Sequence, residues 1–90
     1  MTAKILLVED DPRMVRLVSE VLKAAGHDMI ATGRGEVAVE LISLEQPDLI
    51  LLDILLAGEM DGFAVCRRLR EFSDVPVVML TAMALSLIHI

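Results

Sequence analysis

Two short apolar runs that each end in acid constrain this chain more than any other feature. Ile5-Leu6-Leu7-Val8 leads into Glu9-Asp10-Asp11, and Leu49-Ile50-Leu51-Leu52 leads into Asp53. Neither run alternates polar with apolar residues. A strand with one wet face alternates, whereas a strand buried on both faces reads as a continuous apolar run, the habit of parallel sheets. Between the runs the period changes. Met14, Leu17, Val18, Val21, Leu22 and Ala25 recur at steps of three and four, which predicts an amphipathic helix. Asp11 suits its N-cap, Pro12 its first helical position and Gly26 its left-handed stop.

The rest of the chain continues the alternation. His27–Thr32 is a weaker strand candidate, and Gly33 and Gly35 punctuate a loop. Glu36–Glu45 reads as a helix with Ala38, Leu41 and Ile42 on one face, ended by Pro47. Residues 57–62 are loop-like. Val65, Cys66, Leu69 and Phe72 form a third helical stripe, with Arg67, Arg68 and Arg70 facing water. Val75–Thr81 is a fourth strand, with Pro76 at its start, where proline is tolerated. The order β-α-β-α-β-α-β specifies an α/β fold: an open parallel sheet with helices on both faces and right-handed crossovers. The first crossover puts the helix at 11–25 on one face of the sheet. The reversal puts those at 36–45 and 62–72 on the other.

In open α/β sheets, ligands bind beyond the carboxyl ends of the strands, where strand order reverses. In the flavodoxin-like order, here 2-1-3-4, that point lies between the first and third strands. Glu9, Asp10 and Asp53 then meet at one crevice. Three carboxylates together oppose one another's ionisation. A hard divalent cation resolves the conflict, and Mg2+ favours one or two carboxylates with waters and a phosphate. Aspartate is itself a competent nucleophile for phosphoryl transfer. Thr81, at the end of the fourth strand, can hydrogen-bond a phosphoryl oxygen, and the small Ala82 leaves room for it. Each feature alone has a plainer reading. Asp11 is most simply a helix cap, Glu9-Asp10 could be a solvated strand end, and a strand-end Thr is ordinary. The convergence with Asp53 favours a site. Cys66 reads as core, His27 as exposed, and Gly33-Arg34-Gly35 lacks the pattern of a phosphate loop.

Composition removes other classes. At 90 residues the chain is one domain at most, and its 56% hydrophobic content opposes disorder. No apolar run nears the ~18 residues of a membrane span, and the start lacks a signal-peptide pattern. One cysteine excludes an internal disulfide and a Cys-cluster zinc site, so a cytoplasmic setting is expected. A net charge of −6 and only two aromatics, Phe63 and Phe72, speak against direct nucleic-acid contact.

The set Ile5–Asp11, Leu49–Asp53, Met60-Asp61-Gly62-Phe63 and Val75–Ala82 resembles the receiver domain of two-component response regulators. The stretch Cys66–Arg70 is most similar to receivers that carry a winged-helix DNA-binding domain. The resemblance implies that Asp53 accepts a phosphoryl group from a sensor histidine kinase. It implies that Asp10 binds Mg2+ directly, that Glu9 binds it largely through water, and that the backbone carbonyl of Leu55 joins them. Thr81 would bond the phosphorylated Asp53. The output, transcription control through a DNA-binding effector, would lie outside this chain. A receiver of this kind is a phosphoacceptor and not an enzyme in the usual sense, although it assists its own phosphorylation and dephosphorylation.

Departures from the family pattern set further expectations. Ala57 stands where the family commonly has Pro, and Glu59 makes that loop one residue longer. No Lys follows Lys23, so the family's fifth-strand Lys is not among these residues. Residues 1–84 therefore read as a receiver lacking its fifth strand and last two helices. Residues 85–90, Leu-Ser-Leu-Ile-His-Ile, resemble the in-frame translation of a transposon mosaic-end adaptor, which predicts a non-native tail. Val75–Leu80 would then be an edge strand. Two rivals remain. An aspartyl-nucleophile phosphatase needs Asp-x-Asp, but Ile54 and Leu55 follow Asp53. A degenerate receiver would only bind partners, or be inactive as this fragment.

Overall fold

Strands that are apolar throughout need cover on both sides, and the sheet is built around that need. The structure, a computed structural model, describes residues 2–56, 58–80 and 87–89. Its elements are β1 (Lys4–Val8), α1 (Pro12–Ala24), β2 (Asp28–Thr32), α2 (Gly35–Glu45), β3 (Leu49–Asp53), α3 (Gly62–Leu69), β4 (Val77–Leu80) and β5 (Leu87–His89). The sheet order is β2-β1-β3-β4-β5. The first four strands are parallel in the expected order, with Leu6 beside Ile50 and Ile50 beside Val77. One expectation is corrected here. β4 is not the edge, because β5 adds to it antiparallel, with Met79 opposite Ile88.

The register sorts side chains onto two faces. Leu6, Val8, Ile50, Leu52, Val77 and Met79 join Ala38 and Ile42 of α2 and Val65, Cys66 and Leu69 of α3 in one buried core. Their strand neighbours Ile5, Leu7, Leu49, Leu51, Val78 and Leu80 point the other way, toward the α1 side, as strand alternation requires. Ile5 and Leu7 are buried there, but Leu49, Leu51, Val78 and Leu80 are only half-buried. No residue of α1 is buried, and its Leu17 and Val21 stay 57% and 60% exposed.

Helix ends show how local chemistry sets the frame. The Asp11 carboxylate accepts from the Arg13 amide at 2.9 Å, capping α1, and Gly26 follows the helix at φ 87°. That amide, first among the causes, holds the Asp11 carboxyl below its ordinary value. α2 stops through Gln46, which is left-handed at φ 47°. Pro47 disfavours a right-handed helical conformation at the residue before it, so the pair ends the helix together. The Asp61 carboxylate caps α3 by accepting from the Ala64 amide at 2.8 Å.

Three surface expectations change. α3 ends at Leu69, so Phe72 lies in the following turn, 50% exposed, and is not part of the buried stripe. Arg70 does not face water freely. Its Nη1 donates to the carbonyls of Val75 at 2.7 Å and Ser73 at 3.2 Å, satisfying the loop that enters β4. His27 is half-buried, and its Nδ1 accepts from the Ala3 amide at 3.0 Å.

Candidate functional site

β1 and β3 are adjacent and in register, Val8 beside Leu52, so the residues just past them emerge together. The Glu9 amide donates to the Thr32 carbonyl at 2.9 Å, which carries the β1–β2 ladder one residue past β1. That bond fixes where the Glu9 side chain departs. One carboxylate oxygen from each of Glu9, Asp10 and Asp53 lies within 4.8 Å of the others. The structure thus brings together the three acids picked from the sequence. Glu9 and Asp53 are each only 7% exposed, while Asp10 faces solvent.

Crowding has an electrostatic consequence. The Glu9 carboxyl is pushed up from 4.5 to about 7. Burial is the largest cause, followed by the hydrogen bond with Asp53 and the charge of Asp53. A hydrogen bond from the Asp11 amide to Glu9, Oε1 at 3.4 Å, offsets part of this. The Asp53 carboxylate accepts from the Leu55 amide at 3.1 Å through Oδ1. Leu55 itself lies at the exposed rim, two residues past the acid. A buried carboxyl that holds its proton near neutrality, beside two more carboxylates, is the environment that a divalent cation relieves. The donor set therefore fits a hard, oxygen-seeking ion. Thr81, Ala82 and Ala57 lie outside the described residues.

Two glycines shape the walls by close approach, which the sequence pattern does not show. A Cβ on Gly33 would sit 3.3 Å from Asp10 Cα, so the loop after β2 closes tightly on β1. Gly62, at the start of α3, lies directly on the backbone that carries Asp53. For Gly62 the one signal was its place in Met60-Asp61-Gly62-Phe63, part of the pattern that resembles receiver domains.

The comparisons with known proteins agree with this geometry. The family model described as the response regulator receiver domain matches residues 5–87. The transcriptional regulatory protein BaeR of Escherichia coli O6:H1 is 42% identical over 81 residues, covering 90% of this chain and 33% of that protein. The DNA-binding response regulator MtrA of Mycolicibacterium smegmatis is 45% identical over 82 residues, covering 91% of this chain and 36% of that protein. The chain thus spans about a third of the length of these relatives. Among solved structures, the BeF3-activated N-terminal receiver domain of Klebsiella pneumoniae RstA superposes with a TM-score of 0.83 at 44% identity, covering 89% of this chain and 68% of that one. Among the described residues, no helix is long and apolar enough to cross a membrane. An acidic crevice at the reversal point of a 2-1-3-4 parallel sheet, matched over nearly the whole chain by one family model, shows that this chain belongs to the response regulator receiver family.

Proposed function

We propose that Asp53 is the phosphoacceptor of a phosphorelay, receiving its phosphoryl group from the phosphohistidine of a sensor kinase. Receiver domains of response regulators are phosphorelay signalling modules and not classical enzymes. The observation that carries the residue assignment is the cluster of Glu9, Asp10 and Asp53 at the crevice. In the reaction, a carboxylate oxygen of Asp53 forms the new P–O bond as the P–N bond to the kinase histidine breaks. The leaving imidazole nitrogen keeps the electron pair and takes up a proton. The Leu55 amide holds Oδ1 of Asp53, which orients the carboxylate for attack. Glu9, Asp10, Asp53 and the Leu55 carbonyl would hold Mg2+. When bound, the ion supplies positive charge that offsets both the carboxylates and the phosphoryl oxygens. Glu9 gives up its proton as the site fills. Thr81 hydrogen-bonds the phosphorylated Asp53.

The regulators similar to this chain are described as transcriptional or DNA-binding. We extend that output to the protein that contains this receiver: a cytoplasmic regulator whose effector domain contacts DNA, while the receiver does not. The tail at 85–90 we assign to adaptor sequence. A labelled small phosphoryl donor tests the central reading. The wild-type protein should take up Mg2+-dependent, hydroxylamine-sensitive label, and Asp53→Asn should take up none. Equal label in Asp53→Asn overturns the assignment, and Mg2+-independent absence of label from wild type leaves an interaction-only module.

A further inference from the structure

The peptide that carries Asp53 is held from two sides. On the β4 side, Asp53 pairs with Leu80, and the Ile54 amide donates to the Leu80 carbonyl at 3.2 Å. On the other side, the Ile54 carbonyl accepts from the Gly62 amide at 3.1 Å. Gly62 is buried at the first position of α3. A Cβ there would collide with the Asp53 carbonyl oxygen, and it would lie 2.8 Å from Ile54 Cα and 3.1 Å from the Asp53 carbonyl carbon. These are backbone atoms, which cannot rotate away as a flexible side chain can. Gly62 does not have a positive φ, so alanine could adopt its backbone without strain. The constraint is one of volume: only a residue without a side chain lets the α3 N-terminus rest on the 53–54 peptide.

We propose that Gly62 is a positioning residue for the acidic centre. Its bare Cα sets the height of the Asp53 backbone, and with it the distance from the Asp53 carboxylate to Glu9 and Asp10. The role rests on the proposed function of that centre. The Asp61 cap serves the same end by holding the first turn of α3 in place. Gly35 supplies the matched comparison. A Cβ there would meet Met60 Cβ and Val65 Cγ2 at 2.8 Å and the Met60 carbonyl oxygen at 2.9 Å, so none of its three nearest atoms belongs to Asp53 or Ile54. Gly35→Ala and Gly62→Ala therefore both overfill the α3 side of the molecule, but only one pushes on the phosphoacceptor.

The test measures Mg2+ affinity by calorimetry and label uptake from a small phosphoryl donor, both corrected for the folded fraction found by thermal melting. Gly62→Ala should weaken Mg2+ binding by roughly 10–100-fold, the cost typical of losing support behind a metal ligand. Its labelling should slow in step, while folded Gly35→Ala stays within about threefold of wild type. Asp61→Ala removes the cap without adding volume and serves if Gly62→Ala does not fold. It should also weaken Mg2+ binding more than Gly35→Ala does. Losses in Gly62→Ala or Asp61→Ala no larger than those in Gly35→Ala overturn the positioning role. Wild-type protein that neither binds Mg2+ nor takes label overturns the proposed function itself.

Discussion

The two faces of the sheet are made from the same kinds of residue and end up in different states. On the α2–α3 face, Ile50, Leu52, Val77 and Met79 are sealed by two helices. On the α1 face, their neighbours Leu49, Leu51, Val78 and Leu80 are half open, and α1 leaves Leu17 and Val21 in water. A strand alternates between faces whether or not both are covered, so the apolar run reports the capacity for burial and not its completion. Two helices close one side; one helix does not close the other. The core that positions the acidic centre is therefore the α2–α3 core.

The sharpest way to break this comparison is to truncate one leucine on each side. Leu52→Ala, in the sealed core, should cost about 2–5 kcal/mol, whereas Leu17→Ala, on the exposed flank of α1, should stay within about 0.5 kcal/mol. Urea unfolding measures both, and similar costs would show that the α1 face is as closed in solution as its opposite.

The rim where the faces meet should respond to pH. Glu9 has a folded value of about 7 against 4.5 when free. The folded state thus binds the proton more tightly, so this contribution to stability is full below pH 4.5 and is lost as pH rises through 7. Mg2+ competes for the same carboxyl. Its affinity should rise about tenfold per pH unit below 7 and level off above it. Glu9→Gln should flatten both profiles, as followed by melting and by Mg2+ titration across pH 5 to 9; unchanged slopes would detach Glu9 from the centre.

A smaller loss than that of Leu52→Ala is expected at β5. Removing residues 85–90 takes away an edge strand of three residues and should cost about 1 kcal/mol, on the scale of a backbone hydrogen bond or two. If the tail is adaptor-derived, its codons read CTG TCT CTT ATA CAC ATC, and recloning from source DNA checks them. A deletion as costly as Leu52→Ala would make β5 part of the fold's foundation.

Much of this was legible in the sequence because the informative signals are local or periodic. Ile5–Val8 and Leu49–Leu52 announce parallel strands, Asp11-Pro12 announces a helix start, and the order 2-1-3-4 then places Glu9 and Asp10 beside Asp53. What escaped depends on close approach between distant segments. Nothing near Gly62 in sequence says that Ile54 lies against it. Nothing near His27 marks Ala3 as its partner, and Arg70 looks like any solvated arginine until the carbonyls of Ser73 and Val75 turn toward it. The left-handed Gln46 was hidden behind the more conspicuous Pro47. β5 carried no cap or turn signal at all.

The parallel pairing of β1 with β3 also sets when the acidic centre can exist. Lys4 and Asp48 bridge the start of the two strands across 44 residues: the Lys4 amide donates to Asp48 Oδ2 at 2.8 Å, and the Asp48 amide to the Lys4 carbonyl at 2.7 Å. Closing so long a loop carries an entropic cost before any contact offsets it, which makes such pairings late events in folding. Glu9 and Asp53 stand at the far end of the same ladder. No hairpin or isolated helix can assemble them, so a half-folded chain carries the acids without the crevice. A ligand of the completed crevice acts on the whole folding equilibrium, drawing the chain toward its native state by mass action.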